Sequence, residues 1–325
     1  MHDIWRAAFS DNTWQAYNRA WQVFKQFLRV YQFTHPKKLI QFNEQLLLQY
    51  AYWRFKSYGV KGETIRRDIT GINAFLGCYG YNIKLGIGYS DNLIRFYRGC
   101  NRLYKKYDFG KKTYERRALV DTMVHRMIDQ LPGDSEASLT ARGLLLYSKK
   151  TAFRSHNYVR TKTGGNSTAE NVHFFHHHKH GEGCIIELPH SKTHQKYDKG
   201  KETRTLYCEC KKYGKRYCCV HTLKEILKNR MGTEHCHEAI FLNRNGYPVT
   251  YNQWQKLLKI LCNAIGIDPK YYPSHSLRIG EATDRSMRGE PIERIMKFIG
   301  WKHRKSAMIY IRPDNPDFVK FGIKV

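Results

Sequence analysis

The chain has no run of roughly 18 consecutive apolar residues, the length a membrane-crossing helix needs, so nothing in it is expected to span a bilayer. Its opening residues, MHDIWRAAFS, hold no long apolar core and do not read as a secretory signal. Acidic residues are scarce: 28 Asp and Glu stand against 56 Lys and Arg, a formal net charge of +28. Cysteines number nine. An odd count without a secretory signal argues against a disulfide framework and for a reducing compartment. Strand patterns are missing from residues 1–107.

What is present points to a globular, nucleic-acid-binding class. At 325 residues the chain suits two domains. Apolar residues make up 41%, with 23 tyrosines and 16 phenylalanines, enough for a substantial core. So large a positive excess repels itself unless a polyanion neutralises it. Nucleic acid fits that requirement best, because phosphate contacts supply most non-specific affinity. The blander alternatives are a soluble basic protein or a membrane-surface binder.

The first 107 residues read as four helices. Ser10 or Asp11 caps the first, whose apolar residues Trp14, Tyr17, Trp21, Phe24, Phe27 and Leu28 recur at helical spacing. The second covers Asn43 to Ser57 and stops at Gly59; the third covers Glu63 to Cys78; the fourth covers Asp91 to Tyr107. The aromatic stripe is core. Between the stripes, Arg66, Arg67, Arg95, Arg98, Arg102 and Lys105, with Lys106, form a basic surface suited to a duplex. Residues 108–113, DFGKKT, read as a linker.

Beyond the linker a helical pattern starts near Glu115 and runs to Leu131, where Pro132-Gly133 stops it. Asp134 or Ser135 caps the next helix, which leads to Thr151-Ala152-Phe153-Arg154. Strand signals follow at Val172–His176, Cys184–Leu188 and Thr203–Cys208. His176, His177, His178 and His180 read as a charged hairpin turn; alternation along a strand would otherwise put His176 and His178 on one face as metal ligands. Cys208, Cys210, Cys218 and His221 are spaced C-x-C, seven residues, C-x-x-H. Four soft or borderline ligands suffice for a structural zinc in a Cys-rich insertion over 208–221. The alternative is cysteines that are simply buried. Helices are expected over His221–Met231 and from the cap Thr250 through Ala264.

The densest chemistry lies in His275 to Arg312, HSLRIGEATDRSMRGEPIERIMKFIGWKHRKSAMIYIR. Tyr310 offers a phenolic oxygen that becomes a nucleophile once a base takes its proton. Arg278 offers a planar fork that fits two phosphate oxygens. His275 moves protons near neutral pH. Trp301 offers a packing face and one indole N–H.

The H-x-x-R of His275 to Arg278, the Gly300-Trp301 pair and the Tyr-Ile-Arg of Tyr310 to Arg312 resemble the catalytic C-terminus of the tyrosine recombinases, the phage-integrase family. The tryptophan is Cre-like, where most members have a second histidine. The wording around His275 is closest to recombinases of Crypton- and DIRS-type eukaryotic mobile elements. The resemblance implies a mainly α fold with a small antiparallel β-sheet. It sets a helical core-binding domain over 1–107 before a mixed α+β catalytic domain over 114–325.

The resemblance also implies roles. Arg154 is the first catalytic arginine, with Arg160 as competitor. Family members usually carry an acidic residue three positions later, where this chain has Asn157. Lys192, ahead of Lys196 and Lys199, is the lysine that protonates the leaving oxygen. With His275, Arg278, Trp301 and Tyr310 they would form a 3′-phosphotyrosyl bond, needing neither ATP nor a metal. Double-stranded DNA is the partner, bound by a dimer at one site and a tetramer in the synapse. The compartment follows the DNA: the nucleus in a eukaryote, the nucleoid otherwise. Phe318, Phe321 and Ile323 of the tail either pack into a neighbouring protomer or fold back on their own domain. A type IB topoisomerase-like enzyme and a DNA-binding derivative without catalysis are the alternatives.

Overall fold

The computed structural model describes residues 8–34, 42–78, 91–106, 115–133, 135–161, 167–188 and 202–323. The chain divides into two compact units, residues 1–113 and 114–325. The linker over 108–113 lies outside the described residues.

The first unit holds α1 (Asp11–Thr34), α2 (Glu44–Tyr58), α3 (Gly62–Cys78) and α4 (Asp91–Lys106). Ser10 caps α1, its Oγ accepting from the Thr13 N–H at 3.4 Å; Asn43 caps α2 by accepting from the Leu46 N–H at 2.9 Å. One core joins all four helices through Phe24, Phe27, Leu47, Tyr50, Ile65, Ile69, Leu93 and Tyr97. A Cβ at Gly71 would meet Tyr17 Cα at 3.0 Å, so the glycine allows α1 and α3 to pack closely. Asp68 is partly buried, and Arg54 and Tyr50 meet it at 3.0 and 3.2 Å.

The second unit is mainly α with one small sheet. Its elements are α5 (Asp121–Asp129), α6 (Glu136–Thr151), β1 (Val172–His177), β2 (Gly181–Leu188), β3 (Glu202–Tyr207), α7 (Cys210–Tyr213), α8 (Cys219–Leu227), α9 (Tyr251–Ala264), α10 (His275–Met287), α11 (Ile292–Ile299) and α12 (Arg304–Tyr310). The sheet is antiparallel in the order β1-β2-β3, with Val172 opposite Ile186 and Leu188 opposite Glu202. Helix α6 runs through the core: from Leu144 to Thr151 every residue is buried.

The helix expected from Glu115 is a correction. Residues 115–120 are not helical, and α5 begins only at Asp121. Here long-range pairing overrides local periodicity: the Arg117 N–H donates to Tyr271 O and the Leu119 N–H to Ser276 O, at 2.9 and 3.0 Å. This segment lies so close to α10 that a Cβ on Gly280 would fall 1.7 Å from Leu119 O. Only a residue without a side chain fits there.

A buried charge cluster locks the same region. Lys149, fully buried, meets Asp121, Glu281 and Asp284 at 3.1, 2.7 and 2.7 Å. Lys150 meets Asp121 and Glu209 at 3.0 and 2.9 Å. The carboxylates hold both lysines well above the usual ammonium range, against the opposing effect of burial. Buried pairs of this kind specify geometry more than they add stability. Here they fix α5, α6 and α10 relative to one another.

The tail packs on its own unit. Phe318 is 1% exposed in the core, with Phe321 and Ile323 against it. Asp317 accepts from Arg117 and from the Tyr272 hydroxyl, both at 2.6 Å. The Asn315 amide donates to Ala118 O at 3.0 Å.

Candidate active site

The site begins at the C-terminal end of α6. That helix ends on Ala152, in the left-handed region at φ 52°. The turn frees the last carbonyls of the helix, where cations are favoured. Two buried guanidiniums take them: Arg278 donates through Nη1 to Ala152 O, and Arg204 through Nε to Thr151 O at 3.2 Å. Arg278 also donates through Nη2 to Ile299 O at 2.9 Å. Two of its five N–H donors go to these carbonyls, which hold the fork in one orientation.

Histidine and arginine at i and i+3 in the first turn of α10 share a face. Ser274, just before them, binds Ser155 Oγ at 2.8 Å and accepts from Gln255 Nε2 at 2.6 Å. This ties the residue after Arg154 to the residue before His275. Arg154, Ser155, Ser274 and His275 line one open cavity with Arg116, His156 and Tyr251, with a volume of about 380 Å³.

On the other side stand Trp301 and Tyr310. Gly300 ends α11 at φ 80°, and its N–H and that of Trp301 both donate to Met296 O, at 2.8 and 2.9 Å. That turn brings the Trp301 ring to 5.6 Å from Arg278 Cζ and 4.7 Å from the Tyr310 ring. Tyr310 is the last residue of α12, and its ring stands edge-on to His275 with centroids 5.2 Å apart. Thr283 of α10 holds this end: its hydroxyl donates to Ile279 O at 2.9 Å, lies 3.4 Å from Tyr310 O and accepts from the Arg312 N–H at 3.1 Å. Ile311 packs beneath, near Ala152, Ile295 and Ile299, whereas Met308 is exposed.

The electrostatics follow from these placements. Burial first, then the fields of Arg116, Arg278 and Arg154, push the His275 imidazole down to about 4. Its ring is therefore neutral at pH 7. Burial and the neighbouring Arg154 and Arg204 push Arg278 down to about 9, so it stays charged. A neutral base and a phenol thus sit at the edge of a group of confined cations. The arrangement suits a group bearing negative charge, with a nucleophile and a proton acceptor beside it.

The structure brings Arg154, His275, Arg278, Trp301 and Tyr310 together. Arg160 is exposed; its N–H donates to Val249 O at 2.8 Å, and it does not line the cavity. Lys192, Lys196 and Lys199 lie outside the described residues. Asn157 is buried, its N–H donating to Arg154 O at 2.8 Å and its carbonyl accepting from Ser167. His177 Nδ1 accepts the N–H groups of Lys179 and His180 at 3.2 and 3.3 Å, a turn contact. In the first unit, Arg66, Arg67, Arg95, Arg98, Arg102 and Lys105 are all exposed, and the last four make one stripe along α4.

Arg204, Glu202 and Arg116 went unnoticed in the sequence. Arg204 and Glu202 are buried on the inward face of β3 and pair at 2.5 Å. Both fall, with Leu206, on the inward register of a strand whose alternate positions are exposed. Arg116 had no local signal.

The Phage integrase family model matches residues 124–316, more than half of the chain. The chain belongs to that family and is a tyrosine recombinase. Among solved structures it is similar to the Tn1549 transposon integrase in complex with transposon right end DNA. The two share 15% identity with a TM-score of 0.54, over 96% of this chain and 92% of that one. It is also similar to XerH site-specific recombinase bound to difH substrate, at 13% identity and TM-score 0.54, over 83% and 67%. For a lambda integrase dimer bound to a core site the figures are 12% and 0.53, over 95% and 90%. At these identities the likeness is one of fold. No curated protein sequence matches the chain.

Proposed function

We propose that the protein cleaves and rejoins duplex DNA as a site-specific recombinase or integrase of a mobile element, through a 3′-phosphotyrosyl intermediate on Tyr310. One observation carries this reading. Five side chains, from α10, α12 and the turns after α6 and α11, stand together: Arg154 and His275 line one open cavity, and Tyr310, Trp301 and Arg278 follow in contact from His275. Each suits one task in attacking a phosphodiester.

Arg154 and Arg278 bind the two non-bridging oxygens and stabilise the charge of the pentacoordinate transition state. Neutral His275 accepts the Tyr310 proton as the phenolic oxygen attacks phosphorus. Trp301 packs against the phosphate. The 5′ oxygen departs with a proton from Lys192. The 5′ hydroxyl of a partner strand then attacks the phosphotyrosyl bond and releases Tyr310. One phosphodiester is exchanged for another, so the sequence needs no ATP and no metal.

Double-stranded DNA as partner is supported by the net charge of +28 and by the basic stripe on α4. A dimer on one site and a tetramer in the synapse follow from pairwise strand exchange. A serving role in a mobile element draws support from the likeness to the Tn1549 transposon integrase.

The experiment mixes the protein with two differently labelled duplexes carrying its target site. The account expects end-labels to exchange between duplexes. Relaxation of supercoils without exchange is the result for a topoisomerase-like enzyme; binding with neither is the result for a derivative without catalysis.

A further inference from the structure

Far along the chain from Tyr310, four potential ligands meet. His221 Nδ1 faces the sulfurs of Cys210, Cys218 and Cys208 at 3.2, 3.5 and 3.7 Å. The Cys208 and Cys218 sulfurs are 3.9 Å apart, and all four ligand atoms lie within 4.8 Å of one another. A zinc ion with Zn–S of about 2.3 Å and Zn–N of about 2.0 Å, at the centre of a tetrahedron, sets S···S near 3.8 Å and S···N near 3.6 Å. The S···S distance of 3.9 Å and the S···N distances of 3.2–3.7 Å lie within about 0.4 Å of these values. A disulfide needs sulfurs about 2.05 Å apart, so none joins Cys208 to Cys218.

The surroundings are those of a ligand set rather than of packed thiols. His221 Nε2 lies 3.0 Å from Glu182 Oε2, and the other oxygen of Glu182 takes Lys224 Nζ at 2.7 Å. A carboxylate on the far nitrogen fixes the tautomer that leaves Nδ1 free to coordinate, as in carboxylate–histidine–zinc sites. The Cys210 N–H points at Cys208 Sγ, 3.4 Å away. Packing alone requires neither the aimed imidazole nor the N–H donation to sulfur. Cys219, buried next door, belongs to the core and not to the cluster.

We propose that Cys208, Cys210, Cys218 and His221 bind one structural zinc ion. Binding exchanges three thiol protons for the metal, which releases them to solvent, and the neutral imidazole completes the set. No position is left open for a substrate, so the ion does no chemistry. Its place in the fold gives it a purpose. Cys208 follows β3, Cys210 opens α7, Cys218 and His221 begin α8, and Glu182 sits on β2 where the β2–β3 ladder ends at Gly183 and Tyr207. The zinc clamps that end of the ladder. The opposite end, Leu188 opposite Glu202, flanks the connection over 189–201. The clamp thereby fixes the register of β3, which carries Arg204 to the site. This proposal stands whether or not the chain recombines DNA.

The test uses the full chain purified without a polyhistidine tag. Elemental analysis is expected to find one zinc per chain, released by a mercurial that caps thiols. Exchange for cobalt(II) should give visible ligand-field bands and a near-ultraviolet thiolate charge-transfer band, which a cation bound adventitiously by His176–His180 would not give. Cys210→Ser and His221→Asn should lose the metal, and Glu182→Gln should weaken its retention. Removing the ion should lower the melting temperature by at least about 5 °C. If the variants are insoluble, the cobalt spectrum of the unaltered chain decides. A chain without stoichiometric metal and without that spectrum, metal retained in Cys210→Ser, or a disulfide within the cluster each overturns the proposal.

Discussion

The imidazole of His275 and the ring of Tyr310 meet edge to face, at 65° with centroids 5.2 Å apart. One stands in the first turn of α10 and the other on the last residue of α12. Thr283 of α10 ties the chain just after α12 to α10 by accepting from the Arg312 N–H. The phenol is therefore held beside a base that burial, and then the surrounding arginines, keep unprotonated.

That environment predicts a pH signature. Burial and three arginines lower His275 to about 4, from an ordinary value near 6.5. The folded state therefore binds fewer protons than the unfolded state between these values. Its contribution to stability is complete above about pH 6.5 and is lost as pH falls toward 4, in total up to about 3 kcal/mol. Urea titrations across this range should show the loss, and His275→Gln should flatten it. Histidine-detected NMR should also show the His275 value rising when DNA phosphate enters the site.

Arg278 should resist its conservative replacement. Its fork holds Ala152 O and Ile299 O together. Lysine keeps a charge but has no planar fork. Arg278→Lys should lower the rate of strand cleavage by about 100- to 1,000-fold. DNA affinity in a gel-shift assay should change far less.

Lys149 supports the site without touching it. Removing one member of a buried ion cluster leaves its partners uncompensated, at about 3–5 kcal/mol. Lys149→Met leaves Asp284 without its ion-pair partner, while Asp121 keeps Lys150 at 3.0 Å and Glu281 keeps Arg285 at 2.8 Å, which places the loss toward the lower end. Denaturant unfolding should show a loss in that range.

The basic stripe on α4 should appear in the salt dependence of binding. Arg95, Arg98, Arg102 and Lys105 follow one another at spacings of three, four and three on one exposed face. Each phosphate contact removed lowers the slope of log K against log salt by about 0.9. Replacing all four by glutamine should lower it by about 3–4 units if each meets a phosphate. A fluorescence titration at several salt concentrations checks it.

What was legible in the sequence was local. The four helices of the first unit follow from periodicity and caps such as Ser10 and Asn43. The three strand runs among helical patterns are legible as well, while the mainly helical fold with a small antiparallel sheet was what the family resemblance implied. His275 and Arg278 share a face because three residues is nearly one helical turn. What was not legible depends on distant partners. The helix expected from Glu115 gives way to pairing with Tyr271 and Ser276, more than 150 residues along the chain. Ala152 adopts a left-handed turn that composition does not foretell, and Arg278 and Arg204 take the carbonyls it presents. Likewise no local pattern marks Lys149 as the centre of three carboxylates.

The most direct measurement is covalent capture on a suicide substrate, a target duplex nicked near the cleavage point so that the short fragment bearing the freed 5′ hydroxyl diffuses away. The account predicts a protein–DNA adduct whose digest maps the linkage to Tyr310, and no adduct from Tyr310→Phe despite unchanged binding. An adduct that survives Tyr310→Phe, or one mapped to another residue, would contradict it.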